Sequence, residues 1–185
     1  MPAATQSPHP TSEALIEAGL RLAEERGIAQ MSVDAIVTAA GVAKGTFYVH
    51  FDDRASYLVA LHRRFHEGLR DRIAAATSGM PPGPRRLREG ALAYLDGCLE
   101  SRGVKAMLLE SRSEPAILKE VRRQDDRFSG DAEGCFVAMG VVDAMAAARL
   151  FVAMTAESAI AELESGRRRS DIRRALWRFA GIPPE

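Results

Sequence analysis

Apolar residues recur every three or four positions along most of this chain, which is the spacing of helices that bury one face. The first helix is predicted to be capped by Thr11 or Ser12 and to end at Gly27, with an apolar face formed by Leu15, Ile16, Ala18, Leu22 and Ala23. A longer helix should begin near Asp52–Asp53, whose carboxylates suit the positive end of a helix dipole. It should run to about Ala76, because its apolar face repeats as Leu58, Leu61, Phe65, Leu69 and Ile73.

Two shorter helices are predicted between these two. Ser32 is a suitable N-cap for a helix that ends at Gly41 and carries Ile36, Val37 and Ala40. The segment AAGVAKGTFYVHF, from Ala39 to Phe51, supplies a third helix that is too short to be stable alone. Three helices therefore precede the long one.

The second half of the chain is predicted to be a larger helical bundle. The segment SGMPPGP, from Ser78 to Pro84, is the clearest linker, because its prolines and glycines interrupt helices. Helical stretches follow near residues 85–101, 103–111, 115–128, 132–164 and 170–180, and no stretch alternates as a strand would. The sequence predicts an all-α fold with a disordered tail at 1–10, a helix-turn-helix domain at 11–57 and a bundle at 58–182.

The corner between the second and third helices has the residues that a helix-turn-helix needs. Ala39 and Ala40 let two helix backbones approach closely, and Gly41 can take the left-handed conformation that reverses the chain. The apolar side chains that can fill the angle between the helices are Ile36, Val42 and Phe47. The side chains left outside suit a helix that enters the major groove of DNA: Lys44, Gly45, Thr46, Tyr48, Val49 and His50.

The charge of the chain does not support the hypothesis of DNA binding. The chain has 25 basic and 25 acidic residues, and between positions 32 and 58 the cations Lys44 and Arg54 are outnumbered by Asp34, Asp52 and Asp53. Non-specific attraction to DNA would be weak. Because such corners also occur in proteins that never touch DNA, a helical protein-interaction module and an all-α enzyme remain alternatives. The enzyme is disfavoured, since the sequence has no Glu-x-x-His pair, Gly-framed serine or Gly-rich phosphate loop.

The cysteines favour a reducing compartment, and the apolar stretches do not predict a membrane-spanning segment. Cys98 and Cys135 lie far apart in apolar helical patterns, so we expect buried, reduced thiols and no metal site or cofactor. The first ten residues lack the charged start and apolar run of a signal peptide. The least polar stretch, Ala144 to Ala156, contains Arg149 and is too short to cross a bilayer. We expect a cytoplasmic protein with no membrane partner.

Three segments agree at once with one known family: LIEAGLRLAEERG (Leu15 to Gly27), MSVDAIVTAAGVAKGTFYVHF (Met31 to Phe51) and DDRASYL (Asp52 to Leu58). Over residues 11–61 the chain resembles the DNA-binding domain of TetR-family transcriptional regulators. The later segments LLESRSEPAILKEVRRQDDRF and LWRFAG are similar only in outline to the family's more variable region. The resemblance implies a homodimeric repressor that binds an inverted-repeat operator in double-stranded DNA and is released by a small-molecule effector.

The resemblance also assigns roles to individual positions. Lys44, Gly45 and Thr46 would meet phosphates and the nearest bases, and the residues that would contact phosphates are Thr38, Tyr48, His50 and Arg54. Val49 would face the groove, where it can touch a thymine methyl but cannot read a guanine by hydrogen bonds. The chain departs from the family at four positions, where Lys, Ser, an aromatic residue and Ala are usual: Arg54, Ala43, Ala23 and Val37.

By the same resemblance, the last two helices would pair with their symmetry mates as a four-helix bundle. The segment Val141 to Leu163 is rich in alanine, and Asp171 to Ala180 adds large apolar side chains, Phe179 among them. The predicted interface comprises Leu150, Phe151, Met154, Ile172, Leu176 and Trp177. The alternative is that both helices complete the core of a single chain.

The middle helices would then enclose an effector pocket. Its candidate lining residues are Phe65, Tyr94, Cys98, Met107, Leu108, Phe128, Phe136, Met139 and Glu157, although aromatic and methionine side chains at helical spacing are more often plain core. Glu157 shares a face with Leu150, Met154 and Ala161, so its carboxylate needs a partner. We expect that partner to be an arginine across the dimer; a cationic or hydroxylated ligand is the alternative.

Two histidines have a spacing that can hold a metal ion. His62 and His66 are four residues apart on the long helix, but no cysteine or third histidine lies nearby. We therefore expect two surface histidines that flank Phe65, and no metal. The run Arg167 to Arg169 is predicted to be a solvated turn between the last two helices.

Overall fold

The structure, a computed structural model, describes residues 10–26 and 31–183. This part of the chain is all-α, as predicted, and contains no strand. Its helices are α1 (Pro10–Arg26), α2 (Val33–Ala40), α3 (Lys44–His50), α4 (Arg54–Ala76), α5 (Pro84–Glu100), α6 (Arg102–Glu110), α7 (Pro115–Ala138), α8 (Ala144–Ser165) and α9 (Ser170–Phe179). A 3-10 turn, Ser111–Ser113, joins α6 to α7.

The corner between α2 and α3 is held by capping interactions. The Ser32 hydroxyl accepts a hydrogen bond from the Ala35 N–H at 3.1 Å and so caps α2 as predicted. Gly41 has a φ of 69°, and its N–H donates to the Thr38 carbonyl at 3.2 Å. This left-handed conformation suits glycine and turns the chain into α3, which begins after Ala43 without a side-chain cap.

The seven-residue α3 depends on an aromatic cluster for its position. Phe47 is fully buried, and its ring centroid lies 5.4 Å from that of Phe51 and 5.2 Å from that of Tyr57. The Tyr57 hydroxyl donates to the Leu15 carbonyl of α1 at 2.8 Å. These contacts fix α3 against α1 and α4.

Helix α4 joins the helix-turn-helix to the bundle. Asp53 and Ser56 form a reciprocal cap: the Asp53 carboxylate accepts from the Ser56 N–H at 2.7 Å, and the Ser56 hydroxyl accepts from the Asp53 N–H at 3.2 Å. The helix then runs to Ala76, as predicted. It is continuous across residues 57 and 58, where the sequence predicted a domain boundary.

A second junction lies between α1 and α6. The Glu24 carboxylate accepts hydrogen bonds from the N–H groups of Gly103 at 3.0 Å and Val104 at 3.1 Å, and so caps the start of α6. A Cβ at position 103 would lie 2.5 Å from the Glu24 Cα, so the two helices can approach this closely only because residue 103 is glycine. The helix-turn-helix is thus attached to the bundle both through α4 and through the contact of α1 with α6.

One predicted helix boundary is wrong. Helix α7 does not end near residue 128 but continues through Gly130 and Gly134 to Ala138, and the chain turns at Gly140, where φ is 75°. A glycine inside a helix costs only about 1 kcal/mol relative to alanine. The packing of α7 against α4 and α8 outweighs that cost.

The start of α1 also differs from the prediction. The helix begins at Pro10, so Thr11 and Ser12 lie in its first turn rather than at its cap, and the predicted tail is one residue too long. The remainder of that tail and the predicted stop at Gly27 lie outside the described residues, although α1 does end at Arg26.

A buried ion pair joins α8 to α9. Glu162 is fully buried, and its carboxylate accepts from Nε and Nη2 of Arg173, each at 2.7 Å, and from the Arg169 N–H at 2.8 Å. Arg173 also donates to Asp96 of α5 at 2.8 Å. Burial acts to raise the pKa of Glu162, but the Arg173 and Arg169 hydrogen bonds outweigh it, so this pKa lies below its ordinary value.

Helix α8 is longer than the stretch that the sequence singled out. With 22 residues it is long and apolar enough to cross a membrane by length and composition alone, whereas the stretch Ala144 to Ala156 covers only its first part. In the structure α8 packs against α5, α7 and α9, as a helix of the bundle.

Candidate nucleic-acid interface and effector cavity

The outward face of α3 is open to solvent. Tyr48 is 52% exposed and Val49 is 79% exposed, and Lys44 and Gly45 are exposed at the start of the helix. Thr46 is half-buried, as is His50 in the last turn. The structure therefore leaves free the face that a DNA groove would have to meet.

Lys44 is held by a carboxylate in the absence of DNA. Its Nζ lies 2.8 Å from Oδ1 of Asp34, and this hydrogen bond and charge attraction raise the pKa of Lys44. Both side chains are largely exposed, and an exposed ion pair contributes only about 0–1 kcal/mol. A phosphate could therefore replace Asp34 at little cost.

Arg54 lies where the helix-turn-helix meets the bundle. Its Nη1 is 3.8 Å from Oε1 of Glu114, and its Nε donates to the Met31 carbonyl at 3.5 Å. A guanidinium has five N–H donors, so these two contacts leave donors for a phosphate. Thr38 is exposed near the end of α2. The DNA contacts of these residues and of those on α3 stay predictions.

A group of exposed apolar side chains lies at one end of the bundle, where α7 ends, α8 begins and α9 ends. Val142 is 96% exposed and Phe179 is 80% exposed. We call this group the apolar end surface; its members are Val137, Val141, Val142, Leu150 and Phe179.

Three of the six residues predicted at the dimer interface belong instead to the core of the chain. Phe151, Leu176 and Trp177 are buried, because α8 packs on α5, α7 and α9 and because Arg88 covers the Trp177 ring at 5.8 Å. Of the others, Leu150 is exposed, and the half-buried ones are Met154 and Ile172. A prediction of the dimer interface should therefore be based on residues that are exposed in the single chain.

A cavity of about 440 Å³ lies between α4, α5, α7 and α8, at the half of α4 that is distant from α3. Its aromatic wall consists of Tyr94, Phe128 and Phe151. Its charged lining residues are Glu67, Arg70, Asp71, Arg86, Asp125 and Asp131. The size and the aromatic wall suit a small organic ligand.

Only Tyr94 and Phe128, of the nine residues predicted to line an effector pocket, border this cavity. Five others pack in the core: Phe65, Cys98, Met107, Leu108 and Phe136. Met139 is half-buried at the end of α7, and Glu157 is exposed on α8. Helical spacing identifies a buried face but not the stretch of it that borders a void, so the remaining lining residues were missed.

Glu157 has no salt bridge within the described part of the chain, so its predicted partner across a dimer stays a prediction. The acid that does need an arginine is Glu162, which the sequence did not single out. The arginine turn is largely exposed, as predicted, but it is not simply solvated: Arg168 pairs with Asp96 at 2.9 Å, and Arg169 pairs with Asp171 at 2.7 Å.

His62 and His66 are buried, not on the surface as predicted. Their rings stack with centroids 5.8 Å apart, and Nδ1 of His66 donates to the His62 carbonyl at 2.7 Å. Nε2 of His62 lies 3.4 Å from the Ser111 hydroxyl. Among the described residues, no group of three metal-ligating side chains comes together. The pair forms a neutral polar contact between α4 and the turn before α7.

Acid is expected to destabilise the protein through this pair. Burial lowers the pKa of His62 to about 4 and that of His66 to about 3, from 6.5 in each case. Below pH 6.5 the unfolded chain binds protons that the folded chain does not, so the free energy of unfolding should fall with pH until both histidines are protonated in the folded state. Urea unfolding measured across this range tests the expectation.

The histidine contribution can be separated from that of other groups by substitution. A variant with His62→Gln and His66→Gln should lose stability less steeply with falling pH than the unsubstituted protein, whereas His50→Gln serves as the matched control. An unchanged acid slope in the double variant would contradict the assignment.

Comparison with known proteins agrees with this architecture. Residues 15–61 match the model of the tetR family of bacterial regulatory proteins. No curated protein matches the chain in sequence. The fold is similar to that of a Rhodococcus sp. protein described as a TetR-family transcriptional regulator, with a TM-score of 0.79 and 19% identity over 94% of this chain and 98% of that one.

Two further structures share the fold. A TetR transcription regulator from Haloarcula marismortui has a TM-score of 0.78 and 19% identity, over 92% of this chain and 96% of that one. The multidrug binding protein EbrR, solved with imidazole, has a TM-score of 0.73 and 20% identity, over 97% and 98% of the two chains. Residues 15–61 therefore match the DNA-binding region of the tetR family of bacterial regulatory proteins, and the chain as a whole has the fold of the TetR-family regulators to which it is similar.

Proposed function

We propose that this protein is a dimeric repressor that binds an inverted-repeat operator and is released from it by a small-molecule effector. The observation that carries the proposal is the open face of α3, where Lys44, Tyr48 and Val49 project from a helix whose other face is buried through Phe47. A helix held in this way can enter a major groove without rearrangement of its own packing.

The residues of this face, together with Arg54 at the start of α4, divide into positioning and reading roles. Lys44, Tyr48 and Arg54 have the ammonium, hydroxyl and guanidinium groups that donate to phosphate oxygens. Val49 has no hydrogen-bonding group, so its contribution to sequence preference would be contact with a thymine methyl. Gly45 leaves open space at its Cβ position, where the sugar-phosphate backbone can approach.

The apolar end surface supports a dimer. Its side chains project into solvent from α7, α8, α9 and the turn between α7 and α8, and a second copy would cover them by a two-fold contact. Two α3 helices in such a dimer must lie about 34–36 Å apart, or a multiple of this distance, to reach successive major grooves on one side of the duplex. An inverted-repeat operator is therefore expected.

The cavity supports a ligand-responsive role. It is lined by the second half of α4, whose first turn carries Arg54 beside the helix-turn-helix. A ligand that binds more tightly to a dimer with wrongly spaced α3 helices would release the operator, since a ligand shifts only those states that it binds unequally. Titration of the protein onto the DNA that flanks its own gene, with and without candidate ligands, tests the proposal, and equal affinity for scrambled DNA would contradict it.

Replacing Lys44 with alanine is expected to weaken binding to all DNA sequences alike. A dimer would lose one phosphate contact per subunit, so the slope of log K against log salt should fall by about 2. Binding measured at several salt concentrations tests this, with Lys119→Ala as the matched control, because Lys119 is an exposed lysine on α7. An unchanged salt slope for Lys44→Ala would show that Lys44 does not contact phosphate.

A further inference from the structure

The lysine and the arginine between positions 32 and 58 each lie beside a carboxylate. Lys44 Nζ is 2.8 Å from Oδ1 of Asp34, whereas Arg54 Nη1 is 3.8 Å from Oε1 of Glu114. The Lys44 contact is the tighter one, and it lies wholly within the helix-turn-helix, because Asp34 is on α2 and Lys44 begins α3. Asp34 therefore neutralises a cation on the outward face of α3.

The other two acids of this segment are placed differently. The Asp53 carboxylate caps α4, where it accepts from the Ser56 N–H at 2.7 Å. Asp52 is exposed beyond the opposite end of α3. Within residues 31–183, Asp34 is the only one of these three acids that forms a salt bridge with Lys44.

A phosphate that binds Lys44 comes close to the Asp34 carboxylate. An ammonium donates to charged oxygens at about 2.8 Å, so an ammonium that contacts both groups would hold the two anions within about 6 Å of each other. Anions at this distance repel each other, most strongly where the approach of DNA excludes water. If Asp34 instead releases Lys44, the energy of the ion pair is lost on binding. Both routes lower the affinity for DNA.

The place of Asp34 in α2 gives its substitution a structural effect of the opposite sign. Asp34 lies in the first turn of α2, where a negative charge suits the positive end of the helix dipole. Ser32 already supplies the side-chain cap of α2. Asparagine at position 34 would keep the size of the side chain and weaken α2 slightly, which can only reduce DNA binding. Tighter binding in that variant would therefore not come from the stability of α2.

We propose that Asp34 is an affinity-lowering residue of the DNA-binding surface, which holds Lys44 in the free protein and competes with a DNA phosphate for it. The proposal rests on the proposed function, since it requires that Lys44 contacts a phosphate. Because phosphates carry no sequence information, Asp34 lowers the affinity for every DNA sequence alike. It sets how readily the protein leaves DNA rather than which sequence it prefers.

Replacing Asp34 with asparagine is expected to tighten DNA binding. An exposed ion pair changes an equilibrium constant by up to about fivefold, and each subunit of a dimer contributes once, so affinity should rise by roughly three- to twentyfold. Fluorescence anisotropy of the full-length protein measures this on a duplex from the DNA that flanks its own gene and on a scrambled duplex of the same length. Both duplexes should gain by the same factor, and the gain should shrink as salt rises.

Three results of this measurement would overturn the proposal. Unchanged affinity would show that Asp34 does not compete with DNA. Weaker binding would show that Asp34 orients Lys44 toward the phosphate. A gain confined to the duplex from the flanking DNA would assign Asp34 to the reading of bases.

A double-mutant cycle assigns the effect to Lys44. In a Lys44→Ala background, Asp34→Asn should lose most of its gain, because no ammonium is left to release. An equal gain with and without Lys44 would show that Asp34 repels DNA directly and would overturn the competition. Asp52→Asn is the matched control, since it removes one negative charge from the same domain and should have a smaller effect that does not depend on Lys44. A Lys44-dependent gain of equal size in Asp52→Asn would overturn the assignment to Asp34.

Failure of this inference and failure of the proposed function are distinguishable. Preference of the unsubstituted protein for the flanking duplex, without a gain in Asp34→Asn, would leave the repressor and remove the competition. Equal affinity of the unsubstituted protein for both duplexes, with a Lys44-dependent gain in Asp34→Asn, would remove the sequence-specific repressor and leave the competition. No binding of either duplex by the protein or its variants would remove both.

Discussion

Replacing Arg173 with leucine is expected to lower the free energy of unfolding by roughly 3–5 kcal/mol, the range for breaking a buried ion pair by removal of one partner. The reason is the position of Glu162, whose fully buried carboxylate takes two of its three hydrogen bonds from Arg173. Without that guanidinium the carboxylate stays buried with one backbone N–H as its donor. Urea or thermal unfolding of the variant measures the loss.

Two further variants isolate the buried charge as the cause. Arg174→Leu changes an exposed arginine on the same helix and should alter stability by no more than about 0.5 kcal/mol. The double variant with Glu162→Gln and Arg173→Leu removes both charges, so it should be more stable than Arg173→Leu alone. If Arg173→Leu cost no more than Arg174→Leu, the ion pair would not hold α9 on α8.

The same pair makes a prediction about pH. Because the pKa of Glu162 lies below its ordinary value in the folded chain, its contribution to stability is present above the unfolded pKa and is lost as pH falls through the folded value. This loss adds to the acid sensitivity from His62 and His66, so their double variant should retain part of the acid slope.

Replacing Phe47 with alanine is expected to remove roughly 3–5 kcal/mol, the usual cost of truncating a buried phenylalanine. Phe47 is the only fully buried side chain of α3, and its ring packs against those of Phe51 and Tyr57. A seven-residue helix has no stability of its own once this contact is lost. Operator binding should be lost together with the order of α3.

Hydrogen exchange separates local from global effects of this substitution. Amides of α2 and α3 should lose protection in Phe47→Ala, while those of α7 and α8 should keep most of theirs. Val49→Ala is the control for stability, because Val49 is exposed and its truncation should change stability by no more than about 0.5 kcal/mol. Protected α3 amides in Phe47→Ala would contradict the view that this ring holds the helix.

Much of the fold could be predicted from local chemistry. Ser32, Gly41 and Asp53 were identified as helix boundaries from residue type alone, because capping and left-handed turns depend on neighbouring atoms of the same segment. The predicted end of α7 near residue 128 was wrong for the opposite reason. Gly130 looks like a break locally, and only contacts with α4 and α8 keep the helix continuous there.

The candidate sites also separate into features set by local chemistry and features set by contacts between helices. The outward residues of α3 could be inferred, because in a seven-residue helix the side chains that do not lie beside Phe47 must face solvent. The cavity could not, because a void depends on how four helices fit together rather than on the periodicity of any one of them. The burial of His62 was missed because histidine is a polar residue type, although its spacing from Leu58 and Phe65 places it on the apolar face of α4.

The sequence by itself determined that this chain is all-α, that it has a helix-turn-helix near its start and that Lys44, Tyr48 and Val49 lie on the outer face of α3, because helix periods and caps act over a few residues. Only the tertiary structure decided that Glu162 is held by Arg173, that three of the predicted interface residues are core and that a cavity lies between α4, α5, α7 and α8. Those features depend on side chains from helices that are far apart in the chain, and burial and pairing exist only once these helices have packed.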